Sequence, residues 1–189
     1  MSLLRQVNAW LFDGAGTAIV ADKSGGIRVN NEAQTALHDG NLFSFFSNGT
    51  ISGGSSIILL GKVGAKQVHF DWFVVDVSQG AFLVEFFESP TVTSNGTAQI
   101  VSKRNRASLI SSTLALYSGA TVSANGTLMS SDKLLSIGTG AKVLSGSAGI
   151  DDGWVLKSNT DYIIKLTNQE SSTTSFNAKF VWHEPSYMV

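Results

Sequence analysis

Thr91-Val92-Thr93-Ser94-Asn95-Gly96-Thr97 returns thirty positions later as Thr121-Val122-Ser123-Ala124-Asn125-Gly126-Thr127. Each copy follows an apolar run, Phe82 to Phe87 before the first and Leu114 to Tyr117 before the second. Asn-Gly between β-favouring residues predicts a hairpin turn. Both central residues of that turn need φ > 0, which Asn and Gly tolerate best. Two copies are too few for a solenoid of stacked units. The stretch from Glu85 to Met129 therefore reads as two related β units duplicated inside one β domain.

The rest of the composition agrees with a β protein. Of 189 residues, 43% are apolar but only 14% are charged, against roughly 25% in ordinary soluble domains. Nineteen glycines, with many Ser, Thr and Asn, fill the difference. A surface so poor in charge suits burial in an assembly, because interface cores are depleted in charged residues. The length suits one domain with an arm and is enough for a sizeable core. A net charge of −1 without a basic half argues against nucleic acid as the main partner. Without cysteine there is neither a disulfide framework nor thiol redox chemistry. No apolar run reaches the length of a membrane span. The opening Met1 to Val7 lacks the apolar stretch of a signal peptide, so the three Asn-Gly-Thr triplets, at Asn48, Asn95 and Asn125, read as turn chemistry rather than glycosylation sites.

Residues 1–36 read as an N-terminal arm or small β subdomain, with Val7 to Phe12 and Thr17 to Val20 as short strands. Gly14-x-Gly16 begins a dinucleotide fingerprint, but Ile19 stands where the third glycine belongs and no long helix follows. Asn30 to Leu37 is the best place for a short helix. Residues 37–189 read as the main β domain. Leu42 to Phe46 and Ser56 to Leu60 are predicted strands around a loop holding Asn48-Gly49-Thr50 and Ser52-Gly53-Gly54. Gln67 to Val77 is a long strand with Val68, Phe70, Trp72 and Val74 on one face, by period two. Ser78-Gln79-Gly80 turns the chain into Ala81 to Glu88. Ser130 to Ile150 reads as a surface excursion, and its Gly138-Thr139-Gly140-Ala141-Lys142 lacks the Gly-Lys-Ser/Thr ending of a phosphate loop. Tyr162 to Thr167 and Ser175 to His183 alternate like half-buried strands and are predicted to form a hairpin, which Pro185 ends.

No catalytic set assembles, and the protein reads as a non-enzyme. His38 beside Asp39 is explained by a turn entering a strand. His69 and Asp71 share a strand face, but no further ligands stand at metal spacing, so no metal or other cofactor is expected and His69 reads as a subunit-contact residue. His38, His69 and His183 fall in unrelated contexts. A glycosidase pair such as Asp151 and Asp161 finds no support in spacing. Lys103-Arg104-Asn105-Arg106 is the only basic cluster, on a loop between the two repeat copies. Arginine forks there suit an acidic neighbour or a carboxylate; a solvated loop is the other reading. Lys103, Arg104 and Arg106, with Trp10 and Phe12 of the arm, are the candidate partner contacts.

Four passages carry a resemblance. The first is Leu37-His38-Asp39-Gly40-Asn41-Leu42-Phe43. The second runs from Phe86 through Ser89-Pro90 to Thr97 and on to Lys103-Arg104-Asn105-Arg106. The third is the echo from Thr121 to Thr127, preceded by Gly119-Ala120 where the first copy has Ser89-Pro90. The fourth runs from Trp154 to Tyr162 and through Thr167-Asn168 to Phe180-Val181-Trp182-His183-Glu184. In this order, over roughly residues 37 to 184, they resemble the small β-sandwich cement, or decoration, proteins of tailed-bacteriophage capsids. The resemblance implies an all-β, antiparallel, jelly-roll-like sandwich on the outside of the head, made in the bacterial host cytoplasm. It implies the major capsid protein as partner, and self-association as a homotrimer, with a dimer next. A tail-fibre or spike module binding host-surface carbohydrate through Trp154 and Tyr187 is the alternative.

Overall fold

The described residues of the computed structural model are 32–78, 80–136, 142–146 and 153–185. Trp10, Phe12, Asp151, Tyr187 and residues 1–31 of the arm lie outside them, as do the glycines of Gly138-Thr139-Gly140. From Ala36 onward the residues belong to one compact unit, distinct from Met1–Thr35. Among the described residues one short helix, α1 (Glu32–Asp39), precedes fourteen strands. These are β1 (Leu42–Ile51), β2 (Ser56–Val63), β3 (Val68–Val77), β4 (Gly80–Glu88), β5 (Thr91–Ser94), β6 (Thr97–Ala98) and β7 (Ser102–Lys103). They continue as β8 (Leu114–Ser118), β9 (Thr121–Ala124), β10 (Thr127–Ser136), β11 (Lys142–Gly146), β12 (Trp154–Leu156), β13 (Asp161–Asn168) and β14 (Thr174–His183).

The protein is an all-β sandwich of antiparallel sheets. One sheet runs β11-β3-β14-β1-β7, with β12 also on β3, and the other runs β10-β4-β13-β2-β8-β6. The first four strands pair in reverse with the last long ones: β1 with β14, β2 with β13, β3 with β11 and β4 with β10. Alternate residues from both sheets meet in a single core. Phe43, Phe45, Phe176 and Trp182 enter from one side, and Phe82, Phe86, Tyr162 and Leu166 from the other. Each such side chain contributes roughly 1.5–3 kcal/mol by leaving water.

This arrangement corrects three sequence expectations. The hairpin expected at the C-terminus is a sheet-to-sheet crossing, since β13 and β14 belong to opposite sheets; the same holds for β1–β2 and β3–β4. Alternation shows that a strand has one buried face, which a crossing satisfies as well as a hairpin does. Asn48-Gly49-Thr50 does not turn: β1 runs through it, with all ten residues in register with β14. Ser130 to Ile150 is not a pure excursion, because it supplies most of β10 and all of β11.

Strict alternation also fails in β3. The register with β14 steps from Val181↔Trp72 to Trp182↔Phe70, leaving Asp71 bulged. An extra residue moves the following side chains to the other face. Val68 and Phe70 point into the core, as do Val75 and Val77, whereas Trp72 packs outside with Ala36, Leu37, Leu42 and Val181.

The duplication is real, but its two copies pair with each other. β5 and β9, the two copies, form a separate two-stranded ribbon. β6 then pairs with β8, the strand before copy two, through Thr97↔Ser118, and β10 pairs with β4, the strand before copy one, through Thr127↔Glu88. The side chains repeat the exchange: Thr93 Oγ1 donates to Thr121 O at 3.1 Å, and Ser123 Oγ donates to Thr91 O at 3.5 Å. A local two-fold therefore relates residues 82–98 to 112–128. Beneath the ribbon the apolar cluster follows it, with Phe87 matched by Tyr117, Val92 by Val122 and Leu60 by Ile163.

The Asn-Gly pairs are accordingly corners rather than hairpin turns. Only the glycines adopt positive φ, 79° at Gly96 and 88° at Gly126. A Cβ on Gly126 would run into the backbone of Glu88-Ser89, and one on Gly96 into that of Ser118-Gly119. The differing pairs Ser89-Pro90 and Gly119-Ala120 make the same turn, with φ of 57° at Ser89 and 73° at Gly119.

Candidate functional site: a basic and apolar edge

Between β6 and β8 the chain leaves one sheet, touches the other at β7 and returns. β7 covers only Phe43 and Ser44 of β1, and Arg104 N–H adds one bond to Leu42 O at 3.0 Å. The following loop is shaped by short side chains that cap their own backbone. Asn105 Oδ1 accepts from Ala107 N–H at 3.1 Å, and Ser108 Oγ accepts from Ile110 N–H at 3.1 Å. Asn105 Nδ2 donates to His38 O at 3.1 Å, which ties the loop to the end of α1.

A buried carboxylate holds the far end of the loop. Glu184, 3% exposed, accepts the Ser112 hydroxyl at 2.6 Å and Thr113 N–H at 2.9 Å. Trp182 Nε1 donates to Ser112 Oγ at 3.2 Å. Nothing in the sequence marks Glu184 as a hub, because its partners lie some seventy residues earlier (|i−j| of 72 and 71).

The loop is pinned underneath and bare on top. Leu109 is 95% exposed and Ile100 87%. Arg104 and Arg106 are exposed, and Lys103 is half-buried with its Nζ donating to Ser108 O at 3.3 Å. The ion pairs of the described residues are Lys62–Asp161, Lys157–Glu88 and His183–Asp71, so the basic cluster has no carboxylate partner among them. A groove of about 260 Å³ runs beside it, lined by Phe43, Val101, Lys103, Leu114 and Leu116 among others. Lys103, Arg104 and Arg106 thus stand together on one apolar edge.

The remaining candidates fall elsewhere. His38 and Asp39 are exposed at the end of α1. His69 and His183 are not in unrelated contexts, because pairing of β3 with β14 sets their rings 4.6 Å apart. The bulge turns Asp71 to His183, with Asp71 Oδ1 2.8 Å from Nδ1. Among the described residues no three His, Cys, Asp or Glu are arranged to hold a metal, and no helix is long and apolar enough to cross a membrane. Asp161 pairs with Lys62 across the sheet at 3.6 Å. Trp154 is half-exposed and meets Phe86 edge-on at 6.0 Å.

One further ionisable group joins distant strands. Tyr162 OH donates to Glu88 Oε2 at 3.0 Å and accepts Lys157 N–H at 2.9 Å. Burial pushes the Tyr162 phenol up to about 12, and the bond to Glu88 adds to this. Hydrogen bonds from Lys157, then Tyr162, hold the Glu88 carboxyl below its usual range.

Comparison of the chain with protein-family models and with curated proteins finds no match.

Proposed function

We propose that this protein is a structural component of a bacteriophage virion, a cement or decoration protein that binds the outside of the head and stabilises the capsid lattice. The observation that carries the reading is the edge just described: arginines without a carboxylate partner among the described residues, beside exposed leucine and isoleucine, on a loop fixed from below. Exposed apolar groups rimmed by charge mark protein–protein contacts. The nested pairing of β1–β4 with β10–β14 across two sheets supports a jelly-roll topology, an architecture used by capsid and lectin domains. The low overall charge supports burial between subunits.

The mechanism is mass action. A protein that binds only the assembled lattice stabilises it by its binding free energy, and joining copies in a homotrimer adds avidity. The partner is the major capsid protein, and the site is the capsid exterior after synthesis in the host cytoplasm. No catalytic group or cofactor is needed for this role. The test is co-sedimentation with expanded capsids that lack the protein. Saturable binding at a fixed ratio to shell protein, with greater heat resistance, is expected; absence of binding would overturn the reading. Deleting residues 1–30 tests the arm, whose role as a clamp predicts weaker capsid binding.

The half-exposed Trp154 favours a second reading, a tail-fibre or spike module for host-surface carbohydrate. Sugar-dependent quenching of tryptophan fluorescence would support it, and no change across a glycan panel would exclude it.

A further inference from the structure

The outer edge of β1 extends well past the end of β7. Leu42 O accepts from Arg104 N–H on this side, while Asn41 O accepts from Glu184 N–H on the other. By period two, the N–H and C=O groups of Phe46, Asn48 and Thr50 therefore point outward, where β7 no longer reaches. Their side chains are exposed, Phe46 by 57%. Edge strands are normally guarded by charge, proline or a bulge. Phe45-Phe46-Ser47-Asn48-Gly49-Thr50-Ile51 has neither charge nor proline, and its register with β14 is unbroken. The opposite sheet's edge strand β10 carries Asp132, Lys133 and a bulge. At the Leu42 end of the open edge stand Lys103, Arg104 and Arg106, without a carboxylate partner among the described residues.

We infer that this edge is a β-augmentation site for an extended segment of a partner polypeptide that carries carboxylates at one end. Backbone bonds to Phe46, Asn48 and Thr50 supply affinity. The basic cluster supplies direction, since it favours the acidic end beside β7 and opposes the reverse orientation. A second copy fits less well. Antiparallel β1-to-β1 pairing sets each basic cluster against the Ile51-Ser52-Gly53-Gly54 end of its neighbour, which carries no acid itself; the neighbouring Glu170, bonded through its backbone to Gly54, has its carboxylate engaged by Ala81 N–H at 2.8 Å. The inference deepens the cement reading by naming what the edge grips.

The test has two arms. In the first, wild type, Asn48→Pro and Arg104→Glu/Arg106→Glu are sedimented with expanded capsids. Proline at an edge position whose N–H faces outward leaves the β14 ladder intact, and thermal melting checks each fold. In the second, a short peptide of alternating valine and threonine ending in two glutamates is titrated into the wild-type protein. Its lysine-ended and N-methylated versions serve as controls, with amide hydrogen exchange as readout. The expected results are protection of the Phe46, Asn48 and Thr50 amides by the acidic peptide alone, and about tenfold weaker capsid binding by each variant. Wild-type capsid binding that both variants share, without peptide protection, overturns the inference and leaves the cement reading standing. Peptide protection without any capsid binding overturns the cement reading and leaves the inference. A dimer in wild type that Asn48→Pro dissociates assigns the edge to a second copy and overturns the inference. If Asn48→Pro does not fold, the N-methylated peptide decides: binding equal to the unmethylated peptide overturns backbone pairing.

Discussion

The central duplication and the β1 edge are built from similar residues, yet one is closed and the other open. In residues 82–98 and 112–128 every short strand finds its partner in the other copy, and the apolar residues beneath the ribbon cover one another. At β1, seven edge residues and the loop beyond β7 find no such match among the described residues, and leucine, isoleucine and arginine face outward. Both regions are rich in Ser, Thr and Gly, so composition does not distinguish them. The difference lies in where the complementary strand is encoded: thirty residues away in one case, and outside the described fold in the other.

Breaking the closed region should have the largest effect. Gly126→Ala forces a Cβ into the Glu88-Ser89 backbone at a φ that other residues resist, and about 3 kcal/mol of stability should be lost in denaturant titrations. Gly96→Ala should cost a similar amount, because the local two-fold gives it the same surroundings; a much smaller loss would show that the symmetry is only formal. Next comes the support of the open region. Glu184→Ala strips partners from Ser112 and Thr113 and should cost about 2 kcal/mol. It should also raise amide exchange in the loop 104–113, while Glu184→Gln, which keeps an acceptor, should lose less.

Smaller effects sharpen the same contrast. Tyr162→Phe leaves Lys157 N–H without its acceptor and should cost about 1 kcal/mol. The wild-type phenol keeps its proton in the fold up to about 12, against 10.0 in a free tyrosine. The stability it contributes is therefore complete below pH 10 and declines as pH rises towards 12, a slope that Tyr162→Phe should flatten in alkaline melts. Ser89→Gly relieves a left-handed serine and should stabilise by up to about 1 kcal/mol, whereas Gly119→Ser should destabilise by about as much. Arg104→Ala/Arg106→Ala, at exposed positions, should shift stability by less than about 0.5 kcal/mol. A larger shift would mean that the open edge is structural after all.

Much of the fold was legible from local pattern. Alternation in Phe176, Ala178, Phe180 and Trp182 marked a strand with one buried face, and the short helix lies within two residues of its expected position. The Asn-Gly pairs of the two copies marked changes of direction but not their kind, since a corner between sheets and a hairpin turn both call for residues that accept positive φ, and the pair Asn48-Gly49 marked no turn at all. The basic cluster was visible as a candidate from charge alone. The groove beside it, the open edge of β1 and the hub at Glu184 were not, since each depends on strands distant in the chain.

By itself, then, the sequence determined the β class, the duplicated segment and the charge-poor surface, because propensity, period and composition act over a few residues. Tertiary structure decided which strands share a sheet, which face Trp72 takes after the Asp71 bulge, and that His69 meets His183. It also decided that two look-alike copies close on each other while β1 stays open. Those outcomes are set by pairing between residues tens to more than a hundred positions apart, where many registers bury the same apolar faces and only packing of the whole core chooses among them.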